Sequence, residues 1–185
     1  GLAAGSPVAA VAGAGRAVTA MRVEGFPASV AARTAELKRL LAPSGEIAEL
    51  GREDSLALWR ALRDVTPFAD DRARCLWRLS LPPATSPAVV ARIAARLEVR
   101  AFYDWGGGLV WLETPAAADG GAGVVRAAIG PGGGQATLVR APEPLRAAVP
   151  VFEPLADALA ALSRRVKAGF DPRGVLNPGR LYAGS

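Results

Sequence analysis

"RCLWRLSLPP", Arg74–Pro83, is the stretch that decides the fold. Side chains alternate across a strand, so Cys75, Trp77, Leu79 and Leu81 point one way and Arg74, Leu76, Arg78 and Ser80 the other. Pro82-Pro83 ends the run, because proline offers no N–H to a ladder. A strand with one apolar face and one mixed face belongs to a sheet covered by helices on one side. Its other side, carrying Arg78 and Ser80, must meet water or a partner.

The neighbouring segments supply the rest of that sheet. Ser86 before Pro87 is a helix start, and Val90, Ile93 and Leu97 give the stripe that a helix buries. "VRAFYDW" and "LVWLE" read as strands on either side of Gly106, Gly107 and Gly108, a hairpin. A weaker helix spans about Gly121 to Ile129, "GPGGG" breaks it, and "QATLVRA" is a further strand. On that strand the facing is ambiguous. Ala136, Leu138 and Arg140 share one side, and Gln135, Thr137 and Val139 the other. A strong helix follows, opened by Pro154, with Leu155, Leu159, Leu162 and Val166 in one stripe and Gly169 as its cap.

Upstream, "AVTAMRVEGF" reads as a strand. Pro27 begins a helix with Val30, Thr34, Leu37, Leu40 and Leu41 at helical spacing, stopped by Pro43-Ser44-Gly45. A short strand near Glu46 to Leu50 and a helix from about Asp54 to Arg63 come next. The order β-α-β-α-β-α-β-β-α-β-α suits an α+β fold: a ferredoxin-like open sheet with helices on one face, plus a docked C-terminal helix and tail. Residues 1–17 read as a linker or boundary segment and 18–185 as one domain. Gly13-Ala14-Gly15 lacks the third glycine of a dinucleotide loop, since Val18 stands there.

Composition narrows the function. The chain has 185 residues, a formal charge of +5, one cysteine and no histidine. Without histidine, a Ser-His-Asp hydrolase and a His-ligated metal site are excluded within this sequence. A single Cys75 leaves no intramolecular disulfide and no thiolate cluster, so no metal site is expected. Its basic residues are arginines except for Lys38 and Lys167. They are scattered among acids rather than gathered on one face, which argues against nucleic acid. No apolar run is long enough for a membrane span, and the small apolar start lacks the basic leader of a signal peptide. The expected location is the cytoplasm, with membrane association through a complex as an alternative.

"FDPRGVLNPGRLYAGS", Phe170–Ser185, closes the sequence. Asp171-Pro172-Arg173-Gly174 fits a type I turn, and Asn177-Pro178-Gly179-Arg180 a type II turn. Spaced apolar pegs between two such turns point to an ordered, docked tail.

That tail resembles the C-terminal signature of flavin-linked oxidases of the vanillyl-alcohol-oxidase type. Together with "WRLSLPP", "DWGGGLVWLE" and "GGGQATLVRAP", it is similar to the C-terminal half of the FAD-binding subunit of bacterial glycolate oxidase, over roughly Val18 to Tyr182. The resemblance implies FAD held mainly by an N-terminal flavin-binding domain outside residues 1–185, this chain being the FAD-linked oxidase cap. It implies oxidation of glycolate, a 2-hydroxy acid, to glyoxylate. It also implies as partners that flavin-binding domain and companion flavoprotein and iron–sulfur subunits. Carried over by position, Asn177 and Arg180 would reach the flavin edge, Arg78 would hold a carboxylate or phosphate, and Trp105 would wall the flavin domain. Each has a structural rival: a salt bridge for Arg180, a solvated strand position for Arg78, a core position for Trp105. No catalytic residue is assigned. Where the family often carries His before the "ATL" strand, this chain has Gln135, which favours a flavin-carrying, structural or electron-relay role. By itself the chain is expected to be folded, colourless and without oxidase activity. The rival reading is a stand-alone ferredoxin-like binding or assembly module with no redox role.

Overall fold

The computed structural model describes residues 6–179 and Tyr182. The chain parts into two compact units, residues 1–70 and 71–185.

The first unit is helical among its described residues. α1 (Ala9–Ala12) is a single turn, α2 spans Pro27–Leu41 and α3 spans Arg52–Arg63. Val8 and Val11 are buried with Leu58, and Leu50, Ala57, Trp59 and Leu62 pack around them. α3 carries Glu53 and Asp54 in its first turn and Arg60 and Arg63 in its last, the charge order that suits a helix dipole. Two expected strands are not there. Ala17–Phe26 and Glu46–Leu50 lie outside every strand ladder, since the one sheet described is built from four later strands. Alternating apolar residues favour an extended chain, but a strand also needs a neighbour to take its N–H and C=O groups.

The second unit is α+β. Its order is β1 (Cys75–Ser80), α4 (Ser86–Ala94), β2 (Arg100–Asp104), β3 (Leu109–Thr114), α5 (Ala122–Ile129), β4 (Gln135–Arg140), α6 (Glu143–Ala148) and α7 (Asp157–Phe170). The open sheet runs β2-β3-β1-β4 with every neighbouring pair antiparallel. This β-α-β-β-α-β order, with each crossover skipping one strand, is the ferredoxin-like arrangement that the sequence implied.

The core lies between the sheet's inner face and α4 and α5. Cys75, Trp77, Leu79, Val110, Leu112, Ala136 and Leu138 from the strands meet Val89, Ile93, Val125 and Ile129 from the helices. Trp77 is fully buried, and its Nε1–H donates to the Gly120 carbonyl at 3.0 Å and to Thr114 Oγ1 at 3.3 Å. Gly120 has φ +64, and a Cβ there would lie 2.7 Å from Cys75 Sγ, so only glycine fits beneath this strand. The edge strand β4 is not bare: Leu138 N–H donates to the Val151 carbonyl at 2.8 Å. α6 was not foreseen in the sequence.

α7 begins at Asp157 rather than near Pro154, and it runs through Gly169 to Phe170 instead of stopping at the glycine. The reason is Asp171. Its carboxylate accepts from Lys167 Nζ at 2.9 Å and from the backbone N–H of Leu176 at 2.9 Å and Val175 at 3.0 Å. Asp171 N–H donates to the Lys167 carbonyl at 2.7 Å, which carries the helix one residue past Gly169. The first predicted turn forms, with Gly174 N–H on the Asp171 carbonyl at 3.1 Å. Gly179 has φ +66, as a type II turn requires, but Arg180 lies outside the described residues. Phe170, the last residue of α7, is 87% exposed.

Asp171 gives a prediction. The Lys167 hydrogen bond, then those from Leu176 and Val175, hold its carboxyl at a pKa of about 2, below the ordinary 3.8. A depressed folded pKa means the clamp contributes fully above about pH 4 and is lost as pH falls through 2. The amide-proton shifts of Val175 and Leu176 should titrate with a midpoint near 2, and Asp171→Asn should abolish that titration. A midpoint near 4 would mean that the three bonds do not form.

Candidate functional site on the outer sheet face

Strand register fixes which side chains share the outer face. Across the middle of the sheet, Phe102 pairs with Trp111, Trp111 with Arg78 and Arg78 with Thr137. One step along, Asp104, Leu109, Ser80 and Gln135 are aligned in the same way. Arg78 therefore stands at the centre of the outer face, on the central strand, as the alternation in Arg74–Pro83 predicted. Ser80 and Gln135 are exposed, while Arg78, Trp111 and Thr137 are half-buried. α4 and α5 pack on the opposite face, and α6 and α7 bury no residue.

Trp105 is brought to Arg78. The guanidinium carbon sits 5.6 Å from the Trp105 ring centroid, a cation–π contact. Among the described residues no carboxylate pairs with Arg78, so its planar N–H fork remains available for an anion. The core alternative for Trp105 does not hold, since it is 68% exposed. It also holds φ +52, a conformation that costs a bulky residue of the order of 1–3 kcal/mol.

The surroundings over-determine that turn. Asp104 Oδ1 accepts from Trp105 N–H at 2.7 Å, and Gly108 N–H donates to the Trp105 carbonyl at 3.1 Å. Ser86, fully buried at the start of α4, donates its hydroxyl to the Gly107 carbonyl. Gly107 has φ +101, and a Cβ there would lie 3.0 Å from the Pro83 carbonyl oxygen. The end of β1, the start of α4 and the hairpin thus hold one exposed indole over one arginine.

A second constellation was missed in the sequence. Glu113 is fully buried on the outer face, and three arginines converge on its carboxylate. Arg100 reaches Oε2 at 3.1 Å, Arg74 Nε lies 3.4 Å from Oε2 and Arg140 3.4 Å from Oε1. The β4 ambiguity resolves here. Ala136 and Leu138 face the core, but the β1–β4 register shifts between Leu76 and Trp77, so Arg140 pairs with Leu76 on the outer side. The available signal was an acid placed two residues after Trp111 in an otherwise apolar strand. Its partners become visible only through the register.

Of the other positions named from the tail, Asn177 is exposed with φ +46 and makes no hydrogen bond with another described residue. Arg180 is outside the described residues. Among the described residues no cluster of His, Cys, Asp and Glu fits a metal ion. No helix among them is long and apolar enough to cross a membrane.

An FAD isoalloxazine or phosphate asks for a flat aromatic or backbone surface and for cations free of carboxylates. Arg78 and the pinned Trp105 turn meet both conditions, whereas the Glu113 cluster, already charge-paired, does not.

Comparison with known proteins gives one informative result. No family model matches the chain, and no solved structure matches it. The glycolate oxidase subunit GlcE of Escherichia coli (strain K12) is 32% identical over 133 residues, covering 72% of this chain and 33% of that protein. This chain therefore spans about a third of the length of the curated relative that it matches. The likeness read from the strand, hairpin and tail motifs is upheld by that match, and over those 133 residues the chain is a relative of the glycolate oxidase subunit GlcE.

Proposed function

We propose that this chain is the C-terminal cap portion of a flavin-dependent glycolate oxidase subunit, acting within a multi-subunit complex. The observation that carries the reading is Arg78, held over Trp105 on the sheet face opposite α4 and α5, with no carboxylate among the described residues to neutralise it. The relationship to GlcE supplies the reaction class. In this reading, a flavin-binding domain of the same subunit meets the outer face, and companion flavoprotein and iron–sulfur subunits accept electrons onward. FAD, when bound, supplies the acceptor for the hydride leaving the α-carbon of the 2-hydroxy acid. The chain's own residues do simpler work. Arg78 binds an anionic oxygen pair through its fork, and Trp105 excludes water beside it.

A visible-absorption titration of the chain with FAD tests this, first alone and then joined to a flavin-binding domain. The chain alone should stay colourless, and the joined protein should turn yellow. Arg78→Ala and Trp105→Ala should each weaken the FAD or substrate affinity of the joined protein about tenfold or more, with melting unchanged. Unaltered affinity in both variants would remove the outer face from the cofactor site. It would favour a binding or assembly module without redox chemistry.

A further inference from the structure

The apolar side of α7 has no partner among the described residues of this unit. Leu159, Leu162, Val166 and Phe170 are spaced three and four apart, so they form one stripe. They are 50%, 50%, 53% and 87% exposed, and the helix buries no residue. Beyond its end, the Asp171 clamp turns the chain back, and Lys167 Nζ donates to the Leu176 carbonyl at 2.9 Å. Val175 and Leu176, 62% and 59% exposed, are therefore held beside the helix rather than left loose. Single exposed apolar side chains are ordinary, but six in one continuous series mark an interaction surface.

Charge identifies the partner. Arg164, Arg165 and Arg173 meet no carboxylate among the described residues, while Lys167 is engaged with Asp171. Asp157 is the one acid within the helix. A second copy of this chain is a poor match. Two-fold antiparallel pairing of α7 sets the Arg164-Arg165 steps of both copies near the dyad, in molecules that already carry +5. A 14-residue helix is about 21 Å long, too short to span a bilayer but well suited to lie in its interface. Apolar residues enter the headgroup boundary there while arginines meet lipid phosphates.

We infer that α7 and its clamped tail form a docking surface for an anionic lipid bilayer. Leu159, Leu162, Val166 and Phe170 insert, and Arg164, Arg165 and Arg173 hold phosphate.

Co-sedimentation of the full chain with phosphatidylcholine vesicles, with and without about 30% phosphatidylglycerol, tests this. Binding is expected only to the anionic vesicles and should fall steeply at about 0.5 M salt. Leu162→Ser with Phe170→Ser should weaken it by about tenfold or more, and Arg164→Gln with Arg165→Gln by roughly 25-fold. None of these residues is buried, so circular-dichroism melts should match the parent. Three results would overturn the proposal: no sedimentation of the parent chain, equal binding to neutral vesicles, or folded variants that bind like the parent. The first of these would assign the ridge to an acidic protein surface instead.

Discussion

Trp77→Ala is expected to lower the stability of the sheet unit by about 4 kcal/mol. The indole is fully buried on the central strand, among Leu79, Leu112, Val125 and Leu138. Its removal opens a cavity that a four-stranded sheet pinned on both sides of β1 cannot close. Three further contacts go as well: the Nε1–H bonds to Gly120 and Thr114, and the cation–π contact of the Arg126 guanidinium 5.6 Å from the ring centroid. Gly120 keeps one partner, since Thr114 Oγ1 donates to its carbonyl at 2.8 Å, so the cost is chiefly that of the cavity. Arg126 also donates to the Pro150 and Phe152 carbonyls, at 2.6 and 3.2 Å, which fasten the strap beside β4. Urea unfolding should show the midpoint falling with little change in slope. Trp77→Phe keeps most of the volume and should cost about 1–2 kcal/mol. If both variants unfolded at the parent's midpoint, β1 would not be the centre of the core.

The sheet was legible because its signals are local. Alternation in Arg74–Pro83 gave β1 and the outward position of Arg78. The glycines at 106–108 gave the hairpin, and Ser86-Pro87 gave the start of α4. The false strands at Ala17–Phe26 and Glu46–Leu50 show the limit of alternation: it reports which face a residue would take, not whether a partner strand exists. The end of α7 was misplaced for a similar reason. Gly169 is a common stop signal, but the stop is set by Asp171, whose carboxylate gathers Lys167 and the backbone N–H groups of Val175 and Leu176 downstream.

The candidate site was half legible. Arg78 and Trp105 were each named from the sequence, yet nothing in the residues between them says that the guanidinium lies on the indole. That follows from the hairpin returning Trp105 to the end of β1, and from the fully buried Ser86 hydroxyl holding the Gly107 carbonyl. The outer-face position of Arg140 depends on a register shift, which no propensity encodes.

Glu113→Gln should be the second most costly change, at about 3 kcal/mol. The carboxylate is fully buried and is shared by Arg74, Arg100 and Arg140. Glutamine preserves the shape but removes the charge, leaving three guanidinium groups together with nothing between them. Arg74 has the most to lose, because its Nε and NH2 are buried and make no aligned hydrogen bond. Charge attraction to Glu113 and Glu98 is what offsets that burial. The three arginines should not be equivalent. Arg100 is 42% exposed, so Arg100→Gln should cost under about 1 kcal/mol, as solvent takes over the role of the pair. Arg140→Gln should cost more, since Arg140 also holds the Asp71 carbonyl at 2.8 Å and so ties the start of this unit to β4. A double-mutant cycle between Glu113→Gln and Arg140→Gln should return a coupling of about 1 kcal/mol or more, and one with Arg100 much less. Equal couplings would mean that the cluster is a solvated charge patch, not the buried joint that fixes β3 against β1 and β4. In that case the outer face beside Arg78 would have no rigid frame to hold an anion in register.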